Sequence, residues 1–152
     1  MSEQAPSGRG LRVALVVSRY HDFVTDRLRD AAVDALVEAG VGRDAITLHA
    51  VPGAYEIPQG AAAVAAALAP DAVVCLGCVI RGATPHFEYI CSAVAHGVTQ
   101  AAIATRVPMA FGVLTTNSVE EALERAAPGP SNKGREAALA ALEMAALFGD
   151  LR

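Results

Sequence analysis

The chain is short of aromatic residues, of cysteine and of positive charge, and each shortage narrows what it can be. Aromatic side chains make up 5% of the 152 residues although hydrophobic residues make up 53%. Alanine supplies much of the difference. Small apolar residues suit closely packed helices and buried subunit surfaces, so a homo-oligomer is expected. The 3 cysteines are an odd number and no signal peptide is visible, which favours free thiols in a reducing cytoplasm over a disulfide framework. A formal net charge of -4 argues against a nucleic-acid or anionic-membrane partner. No apolar run is long enough to span a bilayer. The length fits one domain with a real core, over residues 11–152, behind a polar and mobile segment at 1–10.

Familiar signatures are missing too. No Gly-x-Gly-x-x-Gly follows the first strand and no Walker motif occurs, which excludes the common dinucleotide and nucleoside triphosphate folds. The places where a phospho-acceptor receiver carries acids hold Ser18-Arg19 and Gly77-Cys78. No Gly-x-Ser-x-Gly elbow is present. Cys75 and Cys78 lie together in the apolar run of a buried strand, where they read as packing, so no metal is expected.

What is present is an alternation of strands and helices. Strands are expected at Leu11–Val17, Ala45–Val51, from Val73, and at Pro108–Leu114. Helices are expected at Asp22–Ala39, Ile57–Leu68, Pro85–Thr105, from Ser118 to Ala126, and from Asn132 to Phe148, with Gly149 as a stop. Asp22 is read as a cap, Ser118 and Glu121 as a capping box, and Asn132 as the last cap. Strand–helix repetition implies a parallel sheet covered on both faces. The expected fold is a three-layer α/β, flavodoxin-like architecture with a four-stranded parallel sheet in the order 2-1-3-4.

The stretch from Val73 to Ile90, VVCLGCVIRGATPHFEYI, carries the strongest chemical signal. It opens as an apolar run typical of a strand buried on both faces. It then turns through Arg81-Gly82-Ala83 into a helix, with Thr84 as N-cap and Pro85 in the first turn. A helix start offers unpartnered N–H groups to an anion. Arg81 adds positive charge there, and His86 stands beside the site as a candidate general base. Open α/β sheets place ligands at such carboxyl ends. The neighbouring loops bring Tyr20, Gly53 to Glu56, and Thr115 towards it. Other residues keep two readings. Tyr20 is packing or a stacking platform. Glu56 is a cap or a hydroxyl acceptor. Arg125 serves the helix dipole or an anion, and Lys133 is an ion-paired lysine or a Schiff-base amine. Read from the residues, this is a cofactor-free site for a phosphorylated small molecule and a planar partner.

Four ordered blocks carry a resemblance. Val51 to Pro58 (VPGAYEIP) resembles the Pro-Gly-Ala-Phe-Glu-Ile-Pro segment of the lumazine synthases. Gly77 to Tyr89 resembles their Val-Ile-Arg-Gly-x-Thr-x-His block. Phe111 to Thr116 and Asn132-Lys133-Gly134-x-Glu136 resemble two more. The similarity runs from about Val13 to the last helix. It implies condensation of 5-amino-6-(D-ribitylamino)uracil with 3,4-dihydroxy-2-butanone 4-phosphate to 6,7-dimethyl-8-ribityllumazine, phosphate and water, without metal or cofactor.

The resemblance also implies roles. Gly82, Ala83 and Thr84 would hold the phosphate, with Arg125 reaching it from a neighbouring subunit, and His86 would transfer protons. Tyr20 would stack on the pyrimidine, and Gly53, Ala54 and Glu56 would hold the ribityl chain. Val79 and Ile80 would line the pyrimidine pocket. Phe111, Lys133 and Glu136 would act from across the interface. The implied assembly is a pentamer, with an icosahedral shell of pentamers left open and riboflavin synthase a candidate partner. Two stretches depart from the family. Arg19-Tyr20-His21 stands where Arg-Phe-Asn is usual, and the loop from Ala127 to Ser131 is Pro-rich. A non-catalytic flavin or lumazine carrier, or a shell-forming protein, is the alternative on the same scaffold.

Overall fold

The computed structural model describes residues 6–152. Strands β1 (Val13–Ser18), β2 (Ile46–Val51), β3 (Ala72–Ile80) and β4 (Met109–Thr116) alternate with helices α1 (Asp22–Glu38), α2 (Ile57–Leu68), α3 (His86–Thr105), α4 (Val119–Arg125) and α5 (Lys133–Asp150). The sheet is parallel throughout, in the order β2-β1-β3-β4, as expected of a flavodoxin-like fold.

Alternation along the strands divides the core. Val13, Leu15 and Val17 of β1 and Val74 and Leu76 of β3 pack with Leu28 and Leu36 of α1 and Ala138 and Leu142 of α5. Ala14, Val16, Val73 and Cys75 point the other way, onto Ile57 and Ala61 of α2 and Val94 and Val98 of α3. The inner strands are buried on both faces, which is why they read as unbroken apolar runs. Strand β2 lies at the edge, where Leu48 is 55% exposed and the His49 ring meets the hydroxyl of its neighbour Thr47, at 2.9 Å.

Several boundaries differ from expectation for local reasons. Strand β1 begins at Val13 because Arg12 turns outward. Its N–H donates to Asp71 Oδ2 (2.8 Å), and its guanidinium donates to the Leu68 and Ala69 carbonyls that end α2. Strand β4 extends to Thr116, in register with Ile80 of β3. Helix α5 runs through Gly149 to Asp150. Asp22 is not the cap of α1. His21 occupies that position in the left-handed region (φ 65°, ψ 44°), and its carbonyl accepts from Val24 and Thr25. Phe23, expected in the buried stripe of α1, is 45% exposed, and Val24 and Thr25 are buried instead. Of the segment expected to be mobile, residues 1–5 lie outside the described residues, and Gly8 is buried with its N–H on the Ala39 carbonyl.

Asn132 caps α5 as expected. Its Oδ1 accepts from Gly134 (2.7 Å) and Arg135 (3.1 Å), while its Nδ2 donates to the Ala126 and Ala127 carbonyls. One buried amide thus joins the end of α4 to the start of α5. The capping box on α4 is only half formed. Ser118 accepts from Glu121, but the Glu121 carboxylate accepts from the Asn117 N–H, at 2.7 Å.

Candidate active site

Two clefts open at surfaces that the expected site residues occupy. The first, about 460 Å³, is lined by Tyr20 and His21 after β1, Gly53 to Glu56 after β2, Cys78 to Ile80, Gly82 and Thr84 at the end of β3, and His86 at the start of α3. These positions follow from the parallel sheet, since the carboxyl ends of β1, β2 and β3 all point to one edge. Ala83 is exposed in the same turn without lining the cleft.

The β3–α3 turn differs in detail from its expected form. Thr84 is not the N-cap. Pro85 takes that place (φ -70°, ψ 0°) and His86 is the first helical residue, with its N–H only 3.4 Å from Thr84 Oγ1. Residues Arg81 to His86 are all exposed. The first turn of a long helix is therefore open to solvent beside His86, where its unpartnered N–H groups favour an anion. Arg81 does not stand free at this point. Its Nη1 donates to Glu88 Oε1 (2.6 Å), its Nε donates to Asn117 Oδ1 (2.8 Å), and its guanidinium lies 4.5 Å over the Phe87 ring. The bond from Arg81 holds the Glu88 carboxyl below its ordinary range.

Across the cleft, Glu56 is half-buried and Oε1 accepts from the Gly53 N–H, at 2.9 Å. The carboxylate is thereby a cap for its own turn, fixed at the wall of the cleft. Tyr20 is 68% exposed and its ring packs 4.3 Å from the His21 ring, which in turn meets Phe23 edge-on at 5.8 Å. Burial pushes the His21 imidazole below its usual value, so its neutral form is favoured. Burial also pushes the Cys78 thiol up to about 11 and Cys75 to about 12. Both are protonated near neutrality and act as packing rather than nucleophiles.

The second cleft, about 380 Å³, collects Phe111, Thr115, Arg125, Lys133 and Glu136. Thr115, expected beside His86, lies here instead, on β4 at the edge of the sheet. Lys133 Nζ pairs with Glu136 Oε2 at 2.9 Å. Arg125 Nη1 reaches the Glu121 carbonyl of its own helix only at 3.4 Å. Among the described residues none lines both clefts. The sequence reading missed Phe87, Ile90 and Val119 on the first cleft. Val119 comes from the start of α4, and only the pairing of β4 with β3 brings it there. Among the described residues no group of three or more His, Cys, Asp or Glu is placed to hold a metal ion, and no helix is long and apolar enough to cross a membrane.

The sequence model of the 6,7-dimethyl-8-ribityllumazine synthase family matches residues 10–149. That span contains every element of the sheet and both clefts. The chain therefore belongs to the 6,7-dimethyl-8-ribityllumazine synthase family, and is a transferase of riboflavin biosynthesis that condenses the ribitylaminouracil with the four-carbon ketone phosphate.

Proposed function

We propose that the reaction takes place in a composite site, made when the first cleft of one copy meets the second cleft of another. The observation behind this is the separation within one chain: His86 and the phosphate turn line one cleft, and Arg125 and Lys133 line the other. A dianionic leaving group needs cationic partners, and the His86 cleft has none to spare, since Arg81 is committed to Glu88 and Asn117.

In this reading Gly82, Ala83 and Thr84 hold the phosphate with the N–H groups that open α3, and Arg125 of the neighbouring copy completes its neutralisation. Tyr20 stacks on the pyrimidine, and Val79 and Ile80 line its pocket. The ribityl hydroxyls meet Glu56 and the backbone at Gly53 and Ala54. Phe111, Lys133 and Glu136 close the pocket from the neighbour. The amine adds to the ketone and water leaves to give the imine. Phosphate then departs, and the second amine closes the ring with loss of another water. His86 shuttles protons between nitrogen and the departing groups. Holding two intrinsically reactive partners together supplies much of the acceleration.

A pentamer is the assembly that fits this sharing, with a shell of pentamers as a further possibility, riboflavin synthase as the consumer of the product, and the cytoplasm as the compartment. The test is to mix the purified protein with both substrates and follow the lumazine chromophore. Formation faster than the uncatalysed condensation supports the reading. No acceleration by a folded, assembled protein would leave the carrier or shell roles.

A further inference from the structure

The exposed turn at Gly82 to Pro85 is held by one side chain. Arg81 belongs to the end of the sheet, since its N–H donates to the Thr116 carbonyl of β4 at 2.8 Å. From there its guanidinium reaches in two directions. Nη1 goes to Glu88, in the first turn of α3, and Nε goes to Asn117, in the β4–α4 turn. The Phe87 ring lies under the same group. Asn117 is fixed in its turn by its N–H on Glu121 Oε2. The start of α3 is thereby tied to β4 and to the start of α4 across the phosphate turn.

We propose that Arg81 is a positioning residue for the phosphate turn, holding its N–H groups in place through Glu88 and Asn117, and is not itself a ligand of the phosphate. The inference rests on the reading of Gly82 to Thr84 as the anion site. A planar guanidinium that makes two directed bonds and one stacking contact fixes orientation as well as charge. Its commitment also neutralises Glu88, whose carboxylate would otherwise stand near the incoming anion.

The Glu88→Gln substitution separates the two roles by sign. It removes a negative charge near the anion and frees Arg81. If Arg81 were a phosphate ligand, inorganic phosphate would then bind as tightly as before or more tightly. If Arg81 acts through Glu88, the turn loosens and phosphate binds more weakly, by roughly three- to tenfold. Arg81→Lys keeps the charge but loses the fork, and should weaken binding in the same way. Exposed ion pairs add little to global stability, so both variants should fold and assemble with melting temperatures close to the unsubstituted protein. The experiment is calorimetric titration of inorganic phosphate into the assembled protein and the two variants, together with KM and kcat for the ketone phosphate. The expected result is a raised phosphate Kd and a parallel rise in KM, with a smaller change in kcat. Unchanged or tighter phosphate binding by Glu88→Gln overturns the positioning role while the anion site stands. Absence of phosphate binding by the unsubstituted protein overturns the anion-site reading and the positioning role with it.

Discussion

The Tyr20 and His21 rings meet at 4.3 Å, tilted by 51°, and His21 holds this position with a left-handed backbone at φ 65°. A non-glycine residue there is uncommon, and asparagine adopts it more readily than histidine. The imidazole contacts what would be the stacking platform of the planar substrate, so the residue joins the site through its neighbour.

His21 should make stability depend on pH. Burial lowers its pKa from 6.5 in the folded state, so below that pH the unfolded chain binds the proton first. The stability is full above pH 6.5 and is lost as the pH falls through the lower folded value. His21→Asn removes this component and relieves the backbone. Thermal melts at fixed protein concentration should show the variant gaining on the parent as the pH drops from 7.5 to 5. A constant difference across that range would contradict the assignment.

Gly134 begins α5 directly against the backbone of α1, where an added Cβ would collide with the Leu28 carbonyl. Alanine is favoured over glycine in a helix by about 1 kcal/mol, but overpacking against backbone costs typically about 1–3 kcal/mol and should win here. Gly134→Ala is expected to lower stability. Because Lys133 and Glu136 flank it, the shift should also weaken activity. A variant as stable as the parent in urea denaturation would show that α5 can move away freely.

His86→Ala should slow turnover. Proton transfer by a side chain contributes roughly 10²–10⁴-fold in general, and reactants this reactive should need the lower end or less. Arg125→Ala should cost more, chiefly through weaker binding of the ketone phosphate. Steady-state kinetics with each substrate varied in turn separates these effects. An unchanged rate removes His86 from the mechanism, and an unchanged KM for the ketone phosphate removes Arg125 from its site.

Much of this was legible in the residues. The apolar run of β3, the turn at Gly82 and the Asn132 cap all depend on neighbours in sequence, where capping and periodicity act. What escaped depends on residues far apart. Arg81 reads as a cation at an anion site until β4 brings Asn117 beside it. Thr115 is assigned to the His86 cleft until β4 is known to be the edge strand, where that residue lines the second cleft. The left-handed His21 is hidden because Asp22 is the better cap by type, and the hydrogen bonds to Val24 and Thr25 are made by a backbone carbonyl that any residue carries.

The most direct test of the composite site is complementation between copies. One variant carries Glu56→Ala and His86→Ala, in the first cleft, and the other carries Arg125→Ala and Lys133→Ala, in the second. Each alone should be nearly inactive. Co-expressed and assembled together, some neighbouring copies present an intact pair of clefts, and lumazine formation should rise well above the sum of the two separate preparations. Activity no greater than that sum, from oligomers shown to contain both variants, would contradict a site shared between subunits.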